Sequence, residues 1–274
     1  MRAPLVTLCF LAAAAAVVPA QSRPFEPLSC DNVRGDSDRP FHCEIREETL
    51  TSRTLDVDAG ANGGIRVQGT TGSAARVRMR VVAVAESEAR AREIVSQVRL
   101  VTSDDRVSAD GPEVRGTRRN GRGERWDASF EVQAPQDTQL SLRTTNGGIA
   151  IHDFRGRADF RATNGGVNLT NVGGDIRGRT TNGGVNVELT GSRWEGAGLD
   201  VETTNGGVRM RLPASFNAVL EMGTVNGGLD IDFPITVQGR LPSGRNRQLT
   251  TTLGDGGARV RVTTTNGGVS IARQ

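Results

Sequence analysis

One short motif constrains this chain more than any other: Asn-Gly-Gly followed by an aliphatic residue. It occurs at Asn62, Asn146, Asn164, Asn182, Asn205, Asn226 and Asn266. Successive steps from Asn146 are 18, 18, 23, 21 and 40 residues, the last close to two repeats. Self-similarity at a period near twenty residues marks a stack of supersecondary units, each burying its apolar face against the next. The 84-residue interval after Asn62 sets one early copy apart from the main array.

Within a repeat the pattern reads strand, corner, strand, corner. Val185, Val187 and Leu189 alternate with Asn186 and Glu188, and Leu199, Val201 and Thr203 alternate with Asp200 and Glu202 before Asn205. Alternation of period two, bounded by Gly and Asn, is a half-buried strand. The second corner is less regular, as in His152 to Gly156 or Thr190 to Gly198.

Counting back in twos from Asn205 gives Thr203, Val201 and Leu199, and from Asn146 it gives Thr144, Leu142 and Leu140. Residues two apart share a strand face, so Thr and Asn are expected on the inner face. There they require hydrogen-bond partners. A ladder of Asn146, Asn164, Asn182, Asn205, Asn226 and Asn266 in successive repeats would supply them, with glycines permitting close approach. Ala162 breaks the Thr rule in one repeat. On this reading Asn182→Ala costs about 1–3 kcal/mol. The expected fold is an all-β, single-stranded β-solenoid. An antiparallel meander of type I′ hairpins would use the same turn residues, but it does not need Thr and Asn to recur on the inner parity.

Upstream, Thr49 to Val57, Gly64 to Val67 and Ala75 to Ala85 read as strands. Glu86 to Val98 is the one good helix, with Ala89, Ala91, Ile94 and Val98 near one face and Ser87 as cap. Strands resume at Val98 to Val101 and Trp126 to Val132, with Val114 to Arg125 as a hairpin tip between them. The stretch from Pro234 to Gly257 interrupts the last repeats as a loop or a cap. Aromatic residues make up only 4% of the chain, so a thin interior of Val, Ile, Leu and Thr is expected.

Leu5 to Val18 is an uncharged apolar run behind Arg2, and Val18-Pro19-Ala20 offers a cleavage site. Residues 1–20 therefore read as a secretory signal, with the mature chain starting near Gln21. The run is too short to span a bilayer comfortably and does not recur, so no transmembrane segment is expected in the mature chain. An exported protein is periplasmic, cell-surface or secreted. In such a compartment Cys30 and Cys43, with twelve residues between them, most simply form a disulfide. A metal site would need more soft ligands than His42 adds. The domain plan is then residues 21–47 as an N-terminal segment, 48–135 as an N-terminal β part with the helix, and 136–274 as the repeat array. All 34 basic residues are arginine, set against 31 acidic ones, a mixed surface that argues against a nucleic-acid partner.

Several of these residues also carry a family resemblance. Leu55-Asp56-Val57 precedes a glycine-rich corner, residues 75 to 103 read strand–helix–strand, and Phe130 to Pro135 leads into Leu140-Ser-Leu-Arg-Thr-Thr-Asn-Gly-Gly148. Over about residues 48 to 273 the chain resembles the bacterial "putative adhesin" domains, a family of unknown function. The resemblance implies export or envelope association, a right-handed β-solenoid of short strands, and no catalytic residues to carry over. Many members have Gly-Ser-Gly-Asp at the corner, where this chain has Thr-Asn-Gly-Gly.

The chemistry-bearing residues are few. His42 and His152 have no nucleophile motif or metal-ligand spacing around them. The position four after each Asn is Ala150, Asn168, Asn186, Arg209, Asp230 or Ser270, which is not a repeated calcium ligand. No metal or cofactor is therefore expected. Asp200, Glu202, Asp230 and Asp232 could gather on one outer face if their strands stack, giving a glycan-cleaving enzyme as the rival reading. Alternation with Arg209 and Arg211 instead reads as a solvated face. Arg115, Arg118, Arg119, Arg122 and Arg125 are the densest basic cluster and the candidate polyanion contact. The leading expectation is a non-enzymatic, adhesin-like scaffold binding envelope polysaccharide or protein, or its own copies through an open edge at Val260 to Ile271. An envelope stress-response accessory is the third reading.

Overall fold

The computed structural model describes residues 25–31, 33, 39–114, 123–235 and 245–274. The expected signal at residues 1–20 lies outside them, as do Arg115, Arg118, Arg119 and Arg122 of the basic tip.

The chain is all-β with one helix among the described residues. Before the repeats come β1 (Phe41–Leu50), β2 (Thr54–Asp58), β3 (Ile65–Thr70), β4 (Ala75–Val84) and α1 (Glu88–Gln97). They are followed by β5 (Arg99–Ser103), β6 (Arg106–Asp110) and β7 (Arg125–Pro135). The first repeats supply β8 (Gln139–Asn146), β9 (Ile149–His152), β10 (Arg157–Asn164), β11 (Val167–Thr170), β12 (Asp175–Asn182) and β13 (Val185–Glu188). Next are β14 (Gly198–Asn205), β15 (Val208–Leu212), β16 (Ala218–Asn226) and β17 (Leu229–Ile231). The chain finishes with β18 (Arg247–Leu253), β19 (Arg259–Asn266) and β20 (Val269–Arg273).

These strands form two ten-stranded sheets. Sheet A has the order β1-β4-β7-β3-β9-β11-β13-β15-β20-β17, and sheet B the order β18-β16-β19-β14-β12-β10-β8-β2-β6-β5. Each Asn-Gly-Gly corner carries the chain from sheet B to sheet A, and equivalent strands pair in parallel with Asn opposite Asn. Parallel pairing in this register excludes the antiparallel meander. Both sheets are mixed, because β1, β4 and β7 pair antiparallel at one end and β18 pairs antiparallel with β16 at the other.

Spatial order departs from sequence order in one place. The last repeat, β19 and β20, inserts between the repeat of β14 and β15 and that of β16 and β17. Val260 to Ile271 is therefore interior, correcting the expected open edge. The edges at this end are β18, formed by the insertion after Pro234, and the three-residue β17. A short edge strand offers little backbone for another chain to pair with.

Inward residues fill the space between the sheets in rows. Leu55, Leu140, Ala158, Ile176, Leu199, Val260 and Leu220 form one row from sheet B, facing Ile65, Ile149, Val167, Val185, Val208 and Val269 of sheet A. Aromatics matter more than their number implied, since Phe130, Phe154, Phe160 and Phe216 are among the largest fully buried side chains. Trp194 and Phe233 are buried as well, so most of the described aromatics lie between the sheets, where each buries a large apolar area.

Helix α1 starts at Ser87, whose hydroxyl accepts from the Arg90 amide at 3.2 Å, the expected cap. Ala91, Ile94 and Val95 are its buried residues and Ala89 is exposed, so the buried face lies nearer the C-terminal turn than expected. Strand β1 begins eight residues before the expected start at Thr49, because its pattern is half-exposed throughout and shows no clean alternation. The segment from Phe25 to Cys30 crosses the outer face of sheet A. Phe25 stacks edge-on against His152 at 5.5 Å, and Arg66 donates to the Glu26 carbonyl at 3.0 Å. The Leu28 amide donates to Glu131 at 2.6 Å, and the Cys30–Cys43 disulfide ties the strap to β1.

Candidate functional site

The corner is built from three hydrogen-bonded rows. From Asn146 onward each Asn amide nitrogen donates to the side-chain oxygen of the preceding Asn, at 2.8–3.0 Å, in the spatial order 62, 146, 164, 182, 205, 266, 226. Thr144, Thr180, Thr203, Thr264 and Thr224 donate to the first-glycine carbonyl of the neighbouring tier at 2.6–2.8 Å. Glycine amides then bond Asn carbonyls across tiers, as Gly165 to Asn182 at 3.0 Å.

The inward parity holds for the threonines, which are buried, and fails for the asparagines, which are exposed. At Asn the backbone is already leaving the sheet, so the strand count no longer decides which way the side chain points. The expected energetics change with it. Asn182→Ala is expected to cost about 1 kcal/mol or less, since water replaces the lost partners. Thr180→Val buries an unpaired Gly165 carbonyl and is expected to cost about 1–3 kcal/mol. Urea denaturation of the two variants checks the order; equal or inverted losses would contradict it.

The four acids singled out from the sequence are divided. Asp200 and Glu202 lie on β14 in sheet B, whereas Asp230 and Asp232 lie on or beside β17 in sheet A. They form no single acidic face, because the corner at Asn205 and Asn226 sends the two pairs to opposite sheets. Asp200 accepts from Arg261 at 2.7 Å, and Arg273 donates to Asp232 at 3.1 Å and holds its carboxyl below the usual range. Arg209 and Arg211 are exposed on sheet A and alternate with Val208 and Met210 on their own strand, not with the four acids. Of the basic tip only Arg125 is described, at the start of β7, and it has an interaction partner. His152 sits under the strap, where burial holds its pKa below the ordinary imidazole value; Arg66 acts in the same sense and Asp153 opposes it.

The outer face of sheet B carries the more organised surface. One row runs Ser141, Asp159, Arg177, Asp200, Arg261, Glu221, alternating in sign from Asp159 onward. The next runs Asp58, Arg143, Arg161, Arg179, Glu202, Thr263. A third carries Thr145, Thr163, Thr181, Thr204 and Thr265, beside the exposed Asn ladder. A groove of about 540 Å³ lies over Asp159, Arg161, Arg177, Arg179, Asp200 and Glu202. The arginine row escaped the sequence reading, although Arg143, Arg161 and Arg179 all stand three residues before the motif Asn.

These features define a class: a two-sheet β-repeat protein whose tiers are joined by Thr and Asn ladders and whose outer faces carry polar rows. The chain belongs to the Toastrack DUF4097 family, whose profile matches residues 128–272, the repeat array with β7. Among solved structures it is similar to a "putative cell adhesion protein" from Clostridium sporogenes, at 11% identity over 84% of this chain and 100% of that one, TM-score 0.39. A "putative adhesin" from Bacteroides fragilis shows 10% identity over 84% and 97%, TM-score 0.33. A "Putative lipid binding protein" from Parabacteroides distasonis shows 10% identity over 85% and 96%, TM-score 0.32. No curated protein matches the chain.

Proposed function

We propose that this protein is an exported, non-enzymatic, adhesin-like binding scaffold of the cell envelope or its surroundings. The observation that carries the reading is the pair of outward threonine and asparagine rows, in which the same side chain recurs from tier to tier on a backbone locked by the corner ladders. Adjacent strands lie about 4.8 Å apart, so such rows match a partner that is itself a repeating polymer better than a compact small molecule. Held on strands rather than loops, they lose little conformational entropy on binding. We further infer that the tiers wind as a right-handed solenoid. Each passes from one strand through the opposite sheet to the next parallel strand, and crossovers between parallel strands of one sheet are right-handed in about 98% of cases.

The experiment is a binding screen of the purified chain against envelope polysaccharide fractions and envelope proteins, with reducing-end release measured in parallel. Saturable binding without bond cleavage is the expected result. Turnover of any polysaccharide would overturn the non-enzymatic reading, and absence of saturable binding across the panel would overturn the scaffold reading.

A further inference from the structure

The signs of the outward rows on sheet B set one row apart. Asp159, Arg177, Asp200, Arg261 and Glu221 alternate strand by strand, and Arg157 stands beside Asp175 in the same manner. Like charges directly opposite on neighbouring strands are destabilising and opposite charges favourable, so alternation is what stability alone would select. Arg143, Arg161 and Arg179 break that rule with three cations side by side on β8, β10 and β12.

A local carboxylate pairs with only one of them. Arg143 bonds Asp56 at 2.5 Å, but Arg161 and Arg179 are exposed and have no ion pair among the described residues. The neighbouring acids are already engaged: Asp159 by Arg157 at 3.2 Å, Asp175 by Arg177 at 3.0 Å and Asp200 by Arg261 at 2.7 Å. Glu202 faces Arg179 in register and ends the run of cations. Three guanidiniums therefore span about 10 Å at strand spacing, with two of them open to an external anion. Beside them Thr145, Thr163 and Thr181 present exposed hydroxyls.

We propose that the Arg143–Arg161–Arg179 row, with the threonine row beside it, binds the carboxylates of an acidic polysaccharide lying across the strands of sheet B. This rests on the scaffold reading above and names its ligand class and site. Guanidinium matches carboxylate by a planar, bidentate pair of hydrogen bonds. Threonine hydroxyls donate and accept, as the sugar hydroxyls between carboxylates require. A single-stranded nucleic acid would call for stacking platforms, and β8, β10 and β12 turn no aromatic side chain outward, Phe160 being buried. The strap from Phe25 to Cys30 lies across sheet A, so it leaves this face open.

The test titrates the full purified chain with polygalacturonate, neutral dextran and polyphosphate at fixed ionic strength. The wild type is compared with Arg161→Gln/Arg179→Gln and with Arg209→Gln/Arg211→Gln on the opposite sheet. The proposal expects saturable binding to polygalacturonate, no binding to dextran, at least tenfold weakening in the first double variant and none in the second. Arg161→Lys/Arg179→Lys should recover only part of the loss, since the charge remains and the bidentate fork does not. Unchanged affinity in the first double variant, or polyphosphate binding as tightly as polygalacturonate, would overturn it. Binding of the wild type to a neutral glycan or an envelope protein alone would overturn the arginine site while leaving the scaffold reading in place. Circular dichroism melts of each variant separate loss of binding from loss of fold.

Discussion

Gly165→Ala is expected to destabilise the protein by roughly 3–5 kcal/mol, lowering its thermal midpoint on the order of 10 °C. A β-carbon at this position would stand 1.9 Å from the Gly147 carbonyl oxygen and 2.5 Å from its carbon, both backbone atoms of the neighbouring tier. No rotamer relieves such a contact, so the tiers must separate. Separation of these two tiers stretches the Asn164 ladder bond to Asn146, the Gly147 bond to the Asn164 carbonyl and the Ile149 bond to the Gly166 carbonyl. Gly228→Ala is the control at a second glycine of the motif. Gly228 faces nothing within 4 Å, whereas the first glycine of the same tier, Gly227, would meet the Gly267 carbonyl oxygen at 1.8 Å, and Gly228→Ala should cost no more than about 0.5 kcal/mol. Thermal melts of the two variants decide the matter, and similar midpoints would refute the tier packing described here.

Phe160→Ala is expected to cost about 3–5 kcal/mol as a large-to-small change in a close-packed interior. Its ring is 2% exposed and lies over Gly178, its register partner on β12, where a β-carbon would fall 2.3 Å from the ring. The two positions share one volume. Gly178→Ala alone should therefore be destabilising by about 1–3 kcal/mol, and less so when combined with Phe160→Leu. A double-mutant cycle in urea is expected to give a coupling of about 1 kcal/mol or more. Strict additivity would place the ring elsewhere.

Much of this was legible in the chain. The motif, its spacing and the inward rows follow from rules that act over a few residues. Alternation of period two puts Val185, Val187 and Leu189 on one face whatever lies beyond, and Ser87 caps the helix through a bond spanning three residues. The Gly-Gly step could be read as a site of close approach because its cause, a missing β-carbon, is local. The exposure of Asn182 could not, since it depends on where the strand ends and the corner starts. Nor could the length of β1, whose half-exposed pattern carries no periodic signal.

The candidate site divides the same way. Asp200, Glu202, Asp230 and Asp232 look alike on a line, but an intervening corner sends the pairs to different sheets. Arg143, Arg161 and Arg179 share an offset from the motif, and only parallel pairing in register makes that offset a continuous cation row.

By itself, then, the sequence determined the corners, the strand faces and the repeat, all properties of nearest neighbours along the chain. Tertiary structure alone decided which tiers touch: the repeat of Asn266 lies between those of Asn205 and Asn226, and the copy at Asn62 lies beside Asn146 across 84 residues. Strand pairing is a contact between distant segments, and its register and order are set by burial and backbone hydrogen bonding over the whole sheet.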